Sequence, residues 1–114
     1  MVVWIARPAG VSWGQRYDWS CEVTMPGGGL LESQSQAMFT APETGYTNSV
    51  GLYEKAGSHS WSGGFDGKRF FIRLGRGQMF GRMSLDLYAD YHGKQPALVR
   101  LSYTINPSGS RLLR

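Results

Sequence analysis

Apolar and polar residues alternate with a period of two in several separate stretches of the chain. The clearest is QRYDWSCEVT, residues 15–24. Tyr17, Trp19, Cys21 and Val23 fall on one side, and Asp18, Ser20, Glu22 and Thr24 on the other. Such alternation is the mark of a strand with one buried and one wet face. MPGGG at residues 25–29 interrupts it, because Pro26 offers no N–H and three glycines favour a turn. Shorter strands are predicted over residues 36–40 and 46–53, separated by the turn sequence APETG. A glycine- and serine-rich loop then spans residues 54–67.

The next stretch is KRFFIRLGRGQMFGRMSLDLY, residues 68–88. Phe70, Ile72 and Leu74 share one face, as do Met79, Gly81, Met83, Leu85, Leu87 and Ala89. The opposite face carries Arg69, Phe71 and Arg73, then Phe80, Arg82, Ser84, Asp86 and Tyr88. The last pattern, residues 99–105, sets Val99, Leu101, Tyr103 and Ile105 against Arg100, Ser102 and Thr104. Pro96 precedes it and Pro107 closes it. Short strands punctuated by turns, without a helical period, predict an all-β fold: an antiparallel β-sandwich, or alternatively a small, partly open β-barrel. The last three strands are expected to form a meander.

The basic hairpin has a definable register. Its two apolar faces must coincide, since a slip of one residue would turn one of them outward. That requires a loop of even length. A two-residue loop, Gly75–Arg76, places Phe71 opposite Phe80 and Arg69 opposite Arg82. A four-residue loop, Gly75–Gln78, pairs Arg73 with Phe80, Phe71 with Arg82 and Arg69 with Ser84. The first opposes like charges. The second puts each arginine beside a ring or a hydroxyl, where cross-strand pairs contribute roughly 0.2–1 kcal/mol each. The four-residue loop is predicted.

Length and composition fit this picture. A chain of 114 residues with 41% hydrophobic content is one domain's worth, residues 1–114, and buries roughly two-thirds of its unfolded surface without disulfides or metal. Cys21 is the only cysteine, which rules out an intrachain disulfide and a CxxC zinc site. MVVWIARPAG has an apolar run of five residues, too short for a signal peptide core or a membrane helix. No membrane insertion is expected. Met1 fits either a native start or a residue added to a fragment.

The net charge of +4 is unevenly spread. Residues 1–67 sum to −3, and residues 68–114, with nine Lys or Arg against Asp86 and Asp90, sum to +7. A basic half suits a polyanion. It also suits two halves that neutralise each other side by side.

Catalytic and metal chemistry is thin. His59 and His92 are the only histidines, and His92 with Asp86 and Asp90 has no recognised ligand spacing. There is no G-x-S-x-G elbow, P-loop or G-x-G-x-x-G. Glu43, Glu54 and Asp66 lie in or near loops, with nothing to bring two together as a glycosidase pair. The chain is therefore expected to be no enzyme and to need no cofactor or metal. Cys21, on the apolar side of its strand, reads as an inert buried thiol.

Candidate binding residues fall in two groups. Trp13, Trp61, Tyr91 and His92 lie in polar loops. Aromatic rings there either plug the end of the sandwich or face a ligand such as a sugar ring or a protein partner. Trp4 and Trp19 sit in apolar patterns and are expected in the core. The second group is the basic sheet face of Arg69, Phe71, Arg73, Phe80, Arg82 and Tyr88, a platform for single-stranded nucleic acid. KRFFIRLG lacks the second-position glycine and later aromatics of the RNA-binding strand signature. The plain alternative is that arginine stems and rings cover one another on a solvated face.

FTAPETGY, residues 39–46, resembles the turn-to-strand step of immunoglobulin- or fibronectin-type bacterial modules. INPSGSRLL, residues 105–113, is similar to the ending of uncharacterised C-terminal domains in large bacterial extracytoplasmic proteins. With the hairpin, the resemblance covers residues 36–114. It implies an immunoglobulin-like accessory module at the end of a longer, exported chain, with a cytoplasmic home as the alternative. A polysaccharide or a protein partner is then the expected ligand, nucleic acid the second choice, and a purely structural spacer the third. Nothing in the sequence bears on oligomeric state.

Overall fold

The strand most clearly marked in the sequence lies at the centre of one sheet. In the computed structural model, which describes residues 1–8, 16–35, 37–75, 79–89 and 97–113, seven strands follow in order. They are β1 (Val2–Ala6), β2 (Trp19–Thr24), β3 (Gly29–Ser33), β4 (Ser49–Glu54), β5 (Gly64–Leu74), β6 (Met79–Tyr88) and β7 (Leu98–Asn106). Strand β2 is flanked by β1 and β4, and the second sheet runs β3-β5-β6-β7. All pairings are antiparallel. Neither sheet closes on itself, so the fold is an antiparallel β-sandwich and not a closed barrel.

Alternation decides the core. Tyr17, Trp19, Cys21 and Val23 are all buried. They meet Leu30, Phe70, Ile72, Met83, Leu85 and Leu87 from the facing sheet, in two adjoining clusters. The Trp19 indole N–H, buried with its ring, donates to the Ser62 carbonyl at 2.8 Å. The hairpin register is the predicted one: Arg73 pairs with Phe80, Phe71 with Arg82 and Arg69 with Ser84, with Leu74 against Met79 as the last pair before the loop. Strands β5, β6 and β7 form the expected meander.

Five expectations are corrected. The strand expected over residues 36–40 does not form over its described part, 37–40, where Thr40 makes an isolated bridge to Leu112. The strand after β2 is β3, which starts inside the glycine run. Gly27 takes the left-handed turn at φ 71°, and Gly29 already belongs to the sheet. A Cβ there would come 2.6 Å from the Cβ of Tyr46, so this glycine serves close packing, while Gly27 makes the turn. Strand β1 arises from the short apolar run at the N-terminus. Its alternation turns Val3 and Ile5 inward and leaves Trp4 70% exposed, not in the core.

Strand β5 begins at Gly64, within the expected loop. A bulge between Phe65 and Lys68 sets Asp66 and Gly67 opposite the single residue Asp86. Gly67 adopts φ 65° and donates its N–H to the Asp86 carboxylate at 2.7 Å. The fifth correction concerns the outer face of the hairpin. Phe71 and Phe80 are buried there with Met38, Ala41 and Leu113, packed also against Leu31 and Tyr46. The segment before β4 and the C-terminal residues thus cover half of a face expected to be wet. At the other edge, Val99, Leu101 and Tyr103 of β7 share the core face of Leu87, Leu85 and Met83, yet remain 38–62% exposed.

Candidate binding surfaces on the two sheets

The structure separates the residues of the basic face. Phe71 and Phe80 belong to the third apolar cluster and offer no ring face to a ligand. The Arg73 guanidinium carbon lies 5.0 Å from the Tyr46 ring centroid. Its Nε is buried and has no hydrogen-bond partner. Tyr46 in turn leans on Phe80 at 6.1 Å and donates its hydroxyl to the Pro42 carbonyl at 3.0 Å. Burial raises its pKa, with Arg73 and Arg111 pulling the other way. Tyr88 donates its hydroxyl to the Asp66 carboxylate across the bulge. That hydrogen bond, with desolvation and the Asp66 and Asp86 charges, pushes its pKa upward against the pull of Arg100.

Arg69 and Arg82 are the members of this group that line an open hollow. Its volume is about 330 Å³, and Met38, Ser84, Ser102 and Thr104 also line it. The register explains the grouping. Arg69, Ser84 and Ser102 form one row across β5, β6 and β7, and Phe71, Arg82 and Thr104 form the next.

Among the loop candidates, Trp61 is tied into the end of the sandwich. Its indole N–H donates to the Tyr17 carbonyl at 2.8 Å, and its ring meets Tyr17 edge-on at 5.6 Å. The Arg16 guanidinium covers it at 5.7 Å. Trp13, Tyr91 and His92 lie outside the described residues. Among the described residues, no three His, Cys, Asp or Glu side chains gather in a metal-holding group. Cys21 is buried, and desolvation pushes its thiol up to about 11 against a smaller opposing pull from Lys68.

A surface that sequence reasoning missed lies on the outer face of β1-β2-β4. Trp4 and Tyr53 are 70% and 60% exposed. Across the sheet Trp4 aligns with Glu22 and Gly51, and Ala6 aligns with Ser20 and Tyr53. The two rings therefore stand diagonally, with Cα atoms roughly 12 Å apart for ordinary strand spacing and rise. Between them runs a groove of about 410 Å³ floored by Ser20 and Gly51. Nothing lies within 4 Å of where a Gly51 Cβ would sit, so the glycine leaves the floor open. A further hollow of about 320 Å³ continues beyond Tyr53, past Arg7, Asp18 and Ser20.

The polar groups on this face are held in place. The Glu22 carboxylate accepts from Ser49 at 3.0 Å and Thr24 at 3.3 Å. Asp18 accepts the Ala56 N–H at 2.8 Å, and the Lys55 ammonium lies 5.7 Å from the Tyr53 ring centroid. The signal for Trp4 was present in the sequence: in VVWIA the tryptophan takes the parity opposite to Val3 and Ile5. What was not visible was that this run forms a strand. Tyr53 needed the β2–β4 register, which only the fold supplies. No protein family, curated protein or solved structure matches the chain.

Proposed function

We propose that the domain is a non-catalytic glycan-binding module, an immunoglobulin-like accessory domain at the end of a longer exported bacterial chain. The observation that carries the binding role is the diagonal pair of exposed rings, Trp4 and Tyr53, above a floor of serine and glycine. Sugar rings present C–H faces that stack on aromatic rings, and their hydroxyls need polar partners at the rim. Glu22, Ser20 and Asp18 supply such partners. The continuation of the groove past Tyr53 favours a chain of sugars over a single ring.

Strand order supports the immunoglobulin-like class. In constant-type domains one sheet runs A-B-E-D and the other C-F-G, and the described residues supply no strand in the place of D. Here β1-β2-β4 and β3-β5-β6 occupy those places, and β7 is an added edge. The exported location rests on the resemblance of residues 36–114 to extracytoplasmic C-terminal modules.

The test is affinity electrophoresis and calorimetry with neutral polysaccharides, such as a β-glucan, a xylan and a mannan. At least one should bind, with little dependence on salt. Trp4→Ala and Tyr53→Ala should each abolish binding. Gly51→Val should do the same by filling the floor, without touching either ring. Binding that survives all three substitutions, or failure of every neutral glycan, removes the proposal.

A further inference from the structure

The hollow on the opposite sheet has a different chemistry. Its two cations, Arg69 and Arg82, come from adjacent strands and stand diagonally on the outer face. Each guanidinium is fixed from one side by backbone carbonyls among Gln34, Ser35 and Met38. Arg69 Nε donates to Ser35 at 3.2 Å and Nη2 to Gln34 at 3.3 Å. Arg82 Nη1 donates to Met38 at 3.3 Å. A guanidinium has five N–H donors, so each keeps unused donors beside the hollow.

Among the described residues neither arginine has a carboxylate partner; the ion pairs are Lys68–Glu32 and Arg111–Glu43. Asp86, on this face, is held by the Gly67 N–H and lies opposite Arg100, and Asp66 at the bulge accepts the Tyr88 hydroxyl. Met38, Met83 and Tyr103 line the hollow too, together with the hydroxyls of Ser84, Ser102 and Thr104. None of the three makes a side-chain hydrogen bond to another described residue. Among the described residues these are two pre-oriented cations without counter-ions, beside unengaged hydroxyls, and the set matches an oxyanion.

We infer that this hollow is an oxyanion subsite for the acidic group of a polysaccharide, a sulfate ester or a uronate carboxylate. The oxyanion site stands on its own geometry, on the sheet opposite the aromatic groove; that a polysaccharide carries the acidic group rests on the glycan-binding reading above. Nucleic acid is the less favoured polyanion. Its bases would need several stacking rings beside the phosphate contacts; Phe71 and Phe80 are buried under the segment that anchors the arginines, and the exposed ring at the hollow, Tyr103, sits on the edge strand opposite Met83, on the other parity from the arginines.

The experiment is an amide-detected NMR titration of the isotopically labelled domain. Sodium sulfate and sodium acetate are compared with sodium chloride at equal ionic strength. Saturable shifts are expected at residues 69, 82, 84, 102 and 104 with one oxyanion and not with chloride. A sulfated heparin-type oligosaccharide and an oligogalacturonate then separate the two acidic groups. An oligothymidylate of matched charge tests nucleic acid.

Arg82→Gln should weaken oxyanion binding by about tenfold or more, as loss of a charge-assisted bond predicts. Arg69→Gln, which leaves the Met38 anchor untouched, provides the same readout should Arg82→Gln fail to fold. Trp4→Ala should leave oxyanion binding unchanged, whatever it does to neutral glycans. Three outcomes overturn the inference: shifts that never saturate or appear equally with chloride, undiminished affinity in a folded arginine variant, and tighter binding of the oligothymidylate than of either acidic oligosaccharide.

Discussion

Phe71 stands directly across the β5–β6 ladder from Arg82, whose guanidinium donates to the Met38 carbonyl at 3.3 Å. The arginine thus holds in place part of the segment that buries the ring. A phenylalanine on a wet face could be truncated at little cost. At 8% exposure, packed with Met38, Phe80 and Leu113, it cannot. Phe71→Ala should lower unfolding free energy by about 3 kcal/mol, as for other buried rings. Urea denaturation followed by tryptophan fluorescence measures it. A change within about 0.5 kcal/mol, the usual range for surface positions, would mean that the outer cluster does not form.

Tyr46 is a second test of the same layer. Its hydroxyl donates to the Pro42 carbonyl at 3.0 Å, while its ring packs on Phe80 and beneath Arg73. Tyr46→Phe keeps the ring contacts and deletes only the hydrogen bond. The expected loss is about 1 kcal/mol. Tyr46→Ala should cost considerably more, because it removes the ring from between Phe80 and Arg73. Paired denaturation curves of the two variants separate the polar contribution from the packing contribution.

The sandwich, its central strand and the hairpin register were legible because each rests on local alternation. Tyr17 to Val23 needs only a period of two, and the Arg73–Phe80 pair follows from requiring one common apolar face. What stayed hidden depends on pairings distant in sequence. Phe71 looks exposed until residues 38–46 and Leu113 fold over it. Trp4 looks buried until β2 fixes which side of β1 faces inward. The candidate grooves are harder still, since Trp4 and Tyr53 meet through a third strand and Arg69 and Ser102 through β6. The arginines were visible as candidates, and the hairpin register set Ser84 opposite Arg69; Ser102 and Thr104 joined them only through the β6–β7 pairing.

The exposure of Trp4 gives a fluorescence prediction. Trp19 is buried and Trp61 half-buried, whereas Trp4 is 70% exposed. Trp4→Phe should remove a readily quenched component in an acrylamide titration. It should also shift the remaining emission to shorter wavelength. Stability should change by no more than about 0.5 kcal/mol, since the substituted ring covers little core. Unaltered quenching would place Trp4 in a protected environment and would undercut its role in the groove.

Cys21 makes stability depend on alkaline pH in a direction that can be worked out. Burial raises its thiol from an ordinary value of 9.0 to about 11 in the folded chain. Below pH 9 both the folded and unfolded states hold the proton, so the stability is fully retained. Between pH 9 and about 11 the unfolded state releases the proton while the folded state keeps it. The unfolded state then binds fewer protons, and stability falls as pH rises. A difference of this size corresponds to about 2–3 kcal/mol once both states have titrated. Tyr46, also raised by burial, adds a loss in the same sense at higher pH. Unfolding curves at pH 8, 9, 10 and 11 for the native chain and for Cys21→Ala isolate the thiol. The variant should be less stable at pH 8, and its decline towards pH 11 should be shallower. Parallel slopes would mean that the thiol titrates alike in both states. In that case Cys21 should also react readily with iodoacetamide in the folded protein at pH 8, where the buried thiol is expected to be protected.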